Sequence, residues 1–489
     1  MITALERDNL LPAILFRSSR KQCDRDIEFL CELNSACLAE RERRALRLEI
    51  GRVIEKYGVE PDVIHSHIQY EALVQTGAGA HHAGQLLVWR LLLEELMSRG
   101  VLRLMVATGT VAAGVDFPAR SVIVTAHSRR GAEGFRVCSA AEFQQMSGRA
   151  GRRGKDTVGF CLMAPSPFCD ARILHEVAGK PAEPLRSAYF ASPSTVLNLL
   201  RYRNVDDLYY TVSRSLATFI DRKQAKELRR AIALEECALE DNTQVEGQDS
   251  AQRKKQAKRI RRRHREADEL ERRQEQLLAE SLRGLTRLAF VAEGTLTDKG
   301  YWASKLCTNL VLELGETIND GLLNDLDTKT LAALVASLAG DPHRTYFGIR
   351  DNPIKKEYFD QLREILNRVD AAYTKPPLIS PVAVLPDAAL TVLMWLEAEE
   401  WSEYSSLLRL AGVAEGDAAR LITQTGEQLN QIGRLTESHV DLAHAAEEAR
   451  RQLLRPPVVD GLEIRVEEER EEQAEECEGE FSKPDKVRL

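Results

Sequence analysis

No apolar run in these 489 residues is long enough to cross a bilayer, and the N-terminus lacks the pattern of a secretory leader. A membrane role is therefore not expected, and a cytoplasmic location is. The nine cysteines lie far apart without a C-x-x-C pair, and their odd number argues against a disulfide framework or a zinc knuckle. No third ligand stands at metal spacing from His81 and His82, so no metal site is expected. Neither G-x-x-x-x-G-K-[ST] nor D-E-x-[DH] occurs, which leaves the chain without a phosphate-cradling loop or a magnesium-holding box of its own. Positive charge is also short, with 67 Lys and Arg against 75 Asp and Glu for a net charge of −8. That deficit is local. From Pro457 onward 12 acidic and 5 basic residues give −7, in a Glu-rich tail expected to be disordered, and leave about −1 for everything before it.

What is present centres on Ser139 to Gly154, S-A-A-E-F-Q-Q-M-S-G-R-A-G-R-R-G. Ser139 and Glu142 form a capping box, so the spacing predicts a helix that starts here and ends at Gly154. On such a helix Gln145, Arg149 and Arg152 share one face. Gly148 and Gly151 each cost about 1 kcal/mol against alanine, and they thin the helix beside the arginines. Two approachable guanidinium groups suit charge developing on phosphoryl oxygens, and the expectation is that they are aimed from the sheet's carboxyl rim across a domain edge. A solvated arginine-rich helix is the plainer reading of the same residues.

The string Q-M-S-G-R-A-G-R-R-G resembles the last motif of superfamily 2 helicases, in the form found in the superkiller-type DExH-box RNA helicases of RNA decay. The resemblance implies that Arg149 and Arg152 are arginine fingers on the γ-phosphate of ATP and that Gln145 positions the nucleotide. Thr108 to Arg120, T-G-T-V-A-A-G-V-D-F-P-A-R, resembles the fifth motif of that family. By that match Thr108 touches a phosphate of the strand, and Gly114 and Asp116 lie against ATP. Two departures are Gly109, where the family usually has glutamate, and Asp116, where it often has asparagine.

Upstream, Leu11 to Phe16 reads as a buried parallel strand and the turn Arg17-Ser18-Ser19-Arg20 as a phosphate-facing loop, with Ser18 and Arg20 as strand-binding residues. Residues 35–76 are helical and charged. His81-His82-Ala83-Gly84 opens a helix over 85–99, and the resemblance puts His82 near the bound strand. Strands follow at 101–107, 121–125 and 159–164. His127 to Val137, with Arg130 and Phe135, suits a glycine-bracketed hairpin that wedges between paired bases, or else an ordinary surface loop.

These elements give an α/β RecA-like domain, a parallel sheet with flanking helices, followed by mostly α-helical domains. The expected divisions are a second RecA-like domain at 1–165 and a proline-marked linker with a winged-helix-like domain at 166–220. A charged helical hairpin at 221–283, a DSHCT-like bundle at 284–456 and the tail at 457–489 complete the chain. The hairpin's second arm carries Arg253 to Arg265, either a phosphate-tracking face or a solvated one. Stretches from Gly321 and Glu415 carry the resemblance into the bundle, where Trp395 and Trp401 are read as core.

The resemblance covers only the C-terminal half of such a motor. The expectation is thus the C-terminal half of an ATP-dependent RNA helicase, whose ATP and Mg2+ require a first RecA-like domain that is either a separate polypeptide or lost by truncation. The alternative is a non-catalytic nucleic-acid-binding or scaffold module, on RNA or possibly DNA.

Overall fold

The computed structural model describes residues 1–459 apart from 34–35, 110–118, 132–133, 153, 155, 165–168, 186, 242–249, 349–351, 375 and 380. The acidic tail expected to be disordered lies almost wholly outside the described residues.

The N-terminal part runs α1 (Ile2–Arg7), β1 (Ala13–Arg17), α2 (Arg20–Glu32), α3 (Glu40–Tyr57), α4 (Pro61–His65), α5 (Tyr70–Thr76), β2 (Ala78–His81), α6 (Leu87–Ser98) and β3 (Leu104–Thr108). It continues through β4 (Ser121–Val124), β5 (Ser128–Gly131), β6 (Gly134–Val137), α7 (Ala140–Ser147), β7 (Phe160–Met163) and α8 (Ala171–Ala178). Five strands form one parallel sheet in the order β2-β3-β1-β4-β7. Successive residues of β1 serve opposite faces, as the two-residue period of a strand requires. Ala13 and Leu15 join the core built with Ile2, Leu5 and Ile27, while Ile14 and Phe16 join the core built with Ile50, Trp89 and Leu93.

Strand β2 escapes sequence reading because A-G-A-H has no β-branched or large apolar residue. It is a strand because α6 rides directly on it: a Cβ on Gly79 would lie 2.6 Å from the Leu93 side chain. The capping box of α7 forms as expected, with Ser139 Oγ accepting from Glu142 N at 3.1 Å and Glu142 Oε2 accepting from Ser139 N at 2.9 Å. The helix, however, stops at Ser147 and does not reach Gly154. Backbone pairing with the start of β4 takes over, through Ala119 N to Arg149 O at 2.9 Å and Gly151 N to Ala119 O at 2.7 Å.

Among the described residues the remainder is helical apart from one short hairpin, with α9 (Pro193–Leu200), α10 (Val205–Ser213), α11 (Leu216–Asp241), α12 (Ser250–Arg287), β8 (Val291–Ala292), β9 (Thr295–Leu296), α13 (Asp298–Ala303) and α14 (Val311–Asn319). Then come α15 (Thr328–Ala339), α16 (Lys356–Ala371), α17 (Pro386–Glu397), α18 (Trp401–Leu410), α19 (Glu415–Gly433) and α20 (Val440–Leu453). Helices α11 and α12 lie against each other as a long hairpin, while β9, α13 and the far end of α12 pack back on α9. Helix α15 is the centre of the bundle: Leu331 through Leu338 are buried all round, between α17, α19 and α20. Trp395 and Trp401 pack edge to face at 5.4 Å beside Tyr404, and Trp395 Nε1 donates to Leu453 O at 2.8 Å, so both are core. Among the described residues no helix is long and apolar enough to cross a membrane, and no group of His, Cys, Asp and Glu is arranged to hold a metal.

Candidate nucleotide and nucleic-acid surfaces

The expected single helical face of Gln145, Arg149 and Arg152 does not form, because only Gln145 lies on α7. Arg149 and Arg152 follow in the turn that bridges to Ala119, at the amino end of β4 rather than at the sheet's carboxyl rim. The glycines serve that turn. Gly151 has φ +96 and its absent Cβ would sit 3.2 Å from the Gly159 Cα, while Gly148 continues the last helical turn.

Arg152 is not an open guanidinium. Its Nε donates to Asp156 Oδ2 at 2.9 Å and its Nη2 to Asp156 Oδ1 at 3.1 Å, and its backbone N–H reaches the same carboxylate at 3.0 Å. Arg120 Nη1 adds a fourth bond to Asp156 Oδ1 at 2.7 Å. The Asp156 side chain is 1% exposed, and the Arg152 hydrogen bonds hold its carboxyl far below the usual carboxylate range. The finger pair of the sequence reading is therefore corrected in its geometry: Arg152 is clasped internally, and Arg149 stands half-buried beside the bridge. The α7 N-terminus is also occupied, since Ala140 N and Ala141 N donate to Glu183 at 2.9 and 3.1 Å. Gly114 and Asp116 lie outside the described residues.

The opposite edge of the sheet carries the other candidates. Ser18 is exposed just past β1 and its Oγ donates to Gln22 Oε1 at 2.8 Å, while Thr108 ends β3 half-buried. Arg20 behaves otherwise than expected. Its Nη1 donates to both oxygens of Asp417, at 2.9 and 2.7 Å, so it reaches the helical bundle. His82 is also withdrawn, 3% exposed, with Gly84 N donating to its Nδ1 at 3.1 Å and its Nε2 facing Asp24 Oδ1 at 2.9 Å. The Nδ1 of His82 thus accepts while its Nε2 faces the carboxylate, and the ring shapes a turn.

That turn belongs to a partly buried polar network, centred on Asp24, that the sequence does not announce. Asp24 Oδ1 accepts from Gln69 Nε2 at 2.7 Å and Gln85 Nε2 at 3.0 Å, and His67 Nε2 bonds Gln85 Oε1 at 2.9 Å. His67 stacks on Trp89 at 3.7 Å, and burial pushes its pKa down to about 3. Nothing local marks these residues, which come from α2, the α4–α5 turn and the residues after β2. Beyond His82 in the H-H-A-G string, only Asp417 had a signal, in the E-G-D string at Glu415. Its neighbour Gly416 donates its backbone N–H to Gly84 O at 3.0 Å, which seats α19 on the His82 turn.

The hairpin of residues 127–137 is formed by β5 and β6, antiparallel, with Arg130 opposite Phe135. Phe135 is 78% exposed, and Arg136 grips Glu142 so that the hairpin is fixed to the start of α7. The Arg130 side chain lies outside the described ones.

Residues 293–460 match the DSHCT (NUC185) domain. Superkiller complex protein 2 of Mus musculus is 32% identical over 243 residues, 48% of this chain and 19% of that protein. The chain is similar to the C-terminal region of the superkiller-type helicases. The DExH-box ATP-dependent RNA helicase DExH15, chloroplastic, of Arabidopsis thaliana is 33% identical over 196 residues, 40% of this chain and 16% of its own length. The exosome RNA helicase MTR4 of Homo sapiens is 30% identical over 201 residues, 41% of this chain and 19% of its own. The match thus spans about a fifth of these superkiller-type relatives. A parallel sheet with flanking helices leading into a helical DSHCT bundle is the architecture found here.

Proposed function

We propose that this chain is the C-terminal half of an ATP-dependent RNA helicase acting in RNA turnover. It grips the strand at one edge of its sheet and supplies cationic groups to a nucleotide at the other. The observation that carries the reading is this division. Ser18 and Thr108 stand at the carboxyl ends of β1 and β3, whereas Gln145, Arg149 and the Arg152 clasp stand at or near the amino end of β4. A first RecA-like domain, as a separate partner or from a longer gene product, contributes the P-loop and the magnesium box. Bound ATP with Mg2+ on that domain supplies phosphoryl transfer.

On this chain, Arg149 neutralises phosphate charge, Gln145 with Gly114 and Asp116 orients the nucleotide, and Thr108 and Ser18 hold the strand backbone. Phe135 at the hairpin, with Arg130 opposite, separates paired bases. Arg152 reaches a phosphate only by exchanging Asp156 for it. The test is to mix the chain with a P-loop-bearing RecA-like partner and measure RNA-stimulated ATP hydrolysis. Arg149→Ala is expected to lower kcat by about 10³-fold or more. An unchanged rate removes the finger role.

The internal commitment of Arg152 favours a second reading, a non-catalytic nucleic-acid-binding scaffold. It requires strand binding with steep salt dependence and no response to ATP with any partner.

A further inference from the structure

Tryptophans in the bundle are core, yet exposed aromatics with cations between them occur elsewhere, where α9 meets α13. Tyr202 is 76% exposed just past α9, and Tyr301 on α13 is 52% exposed. The Arg201 guanidinium lies between them, 5.2 Å from the Tyr202 ring centre and 5.8 Å from that of Tyr301. Lys305 Nζ follows, 5.5 Å from the Tyr301 ring. Rings and cations thus alternate in one patch, and Arg203, next in sequence to Tyr202, is exposed with no ion pair among the described residues. One carboxylate tempers this patch: Glu437 pairs with Lys305 and also feels Arg201.

Near this patch is an open cavity that Asn198, Thr308, Gln424, Gln428 and Gln431 help to line, with Glu427 as an acidic neighbour. Asn198 is one helical turn before Tyr202. Two of the amides are oriented by the protein: Thr308 Oγ1 donates to Gln428 Oε1 at 2.6 Å and Cys307 N to Gln431 Oε1 at 3.0 Å. With their carbonyl oxygens engaged, the NH₂ groups of both side chains remain as the donors.

We propose that Tyr202, Arg201 and Tyr301 form a stacking platform for single-stranded nucleic acid, which delivers an unpaired base to the amide-lined cavity. This deepens the function proposed above, since it assumes that a strand passes along this chain. Every base has a π-face that a tyrosine ring accepts, Arg201 and Arg203 neutralise the flanking phosphates, and amide N–H groups meet acceptors on base edges. A hydrophobic protein partner would not need cations between the rings.

The experiment is fluorescence anisotropy of a fluorescein-labelled oligouridylate with the full chain, as wild type and as the Tyr202→Ala, Tyr301→Ala double variant. Both rings are on the surface, so thermal melts of the variant and wild type should coincide. Loss of two stacked bases should weaken binding by about 10-fold or more. The Tyr202→Phe, Tyr301→Phe variant should bind as wild type, because the ring and not the hydroxyl is used. Arg203→Ala should lower the slope of log affinity against log salt by about 1. Wild-type affinity in the double alanine variant, or Phe variants as weak as alanine, overturns the platform. If Thr108→Ala weakens binding while the tyrosine variants do not, the platform falls and strand gripping at the sheet edge stands. If the chain binds no oligouridylate at all, both fall.

Discussion

Asp156 shows how one side chain reassigns another. A carboxylate that accepts four hydrogen bonds at 1% exposure is an anchor for two arginines, so the side chain that carries the family's motif pattern at Arg152 also closes a structural clasp. Asp156→Asn leaves Arg120 and Arg152 without a countercharge, and is expected to lower stability by about 3 kcal/mol in urea unfolding. If the variant is as stable as wild type, the clasp is not structural. His67 supplies a pH signature. Its folded pKa of about 3 lies below the ordinary value, because burial against Trp89 disfavours the charged ring. Between about 6.5 and 3 the unfolded chain binds a proton that the folded chain does not, so stability rises with pH in that window. The contribution is complete above about pH 6.5 and is lost as pH falls, at up to about 1.4 kcal/mol per unit. His67→Asn should flatten the slope of unfolding free energy against pH, and an unchanged slope would show that His67 titrates normally.

At the scale of elements, the turn after α7 is decided by its contacts and not by helix propensity. A Cβ on Gly159 would lie 2.3 Å from Ala150 O and 2.6 Å from Gly151 N, against backbone that cannot step aside. Gly159→Ala should therefore destabilise the sheet by more than Gly151→Ala. The latter meets Gly159 at 3.2 Å and adds the strain of a positive φ, about 1–3 kcal/mol. Thermal melts of the two variants rank them, and the reverse order would mean that the β4–β7 edge is looser than drawn. The α11–α12 hairpin was legible as two charged helical patterns. The use of its basic arm was not, because Arg259 and Arg263 are taken up by Glu235 across the hairpin, a pairing that only the antiparallel register produces.

Over the whole molecule, the sheet and the bundle are joined where α19 meets the carboxyl ends of β1 and β2. Arg20 bonds Asp417, Arg409 Nη1 donates to Ser66 O at 3.3 Å, and Gly416 lies so close that its Cβ would be 2.4 Å from Gln85 O. Gly416→Val is expected to pry the seam apart. The expected readout is two unfolding transitions in place of one, and faster proteolysis between the sheet and the bundle. One unshifted transition would mean that the seam contributes nothing to cooperativity. The seam also explains why Arg20 and His82 are drawn inward: the partners that claim them lie on α19 and on α2, and neither is near in sequence.

The sequence by itself determined the alternation of buried strands and helices, the capping box at Ser139, the hairpin at 127–137, the core role of Trp395 and Trp401, and the likeness to superkiller-type helicases. Each is written in spacing or in a contiguous string, because helix periods, caps and motifs act over a few residues. Only the tertiary structure decided that α7 ends at Ser147, that A-G-A-H is a strand, that Arg152 and Arg20 are paired, and that Tyr202 meets Tyr301. Those outcomes depend on which distant atoms fill the space or answer the charge, and no local pattern encodes a partner 397 positions away.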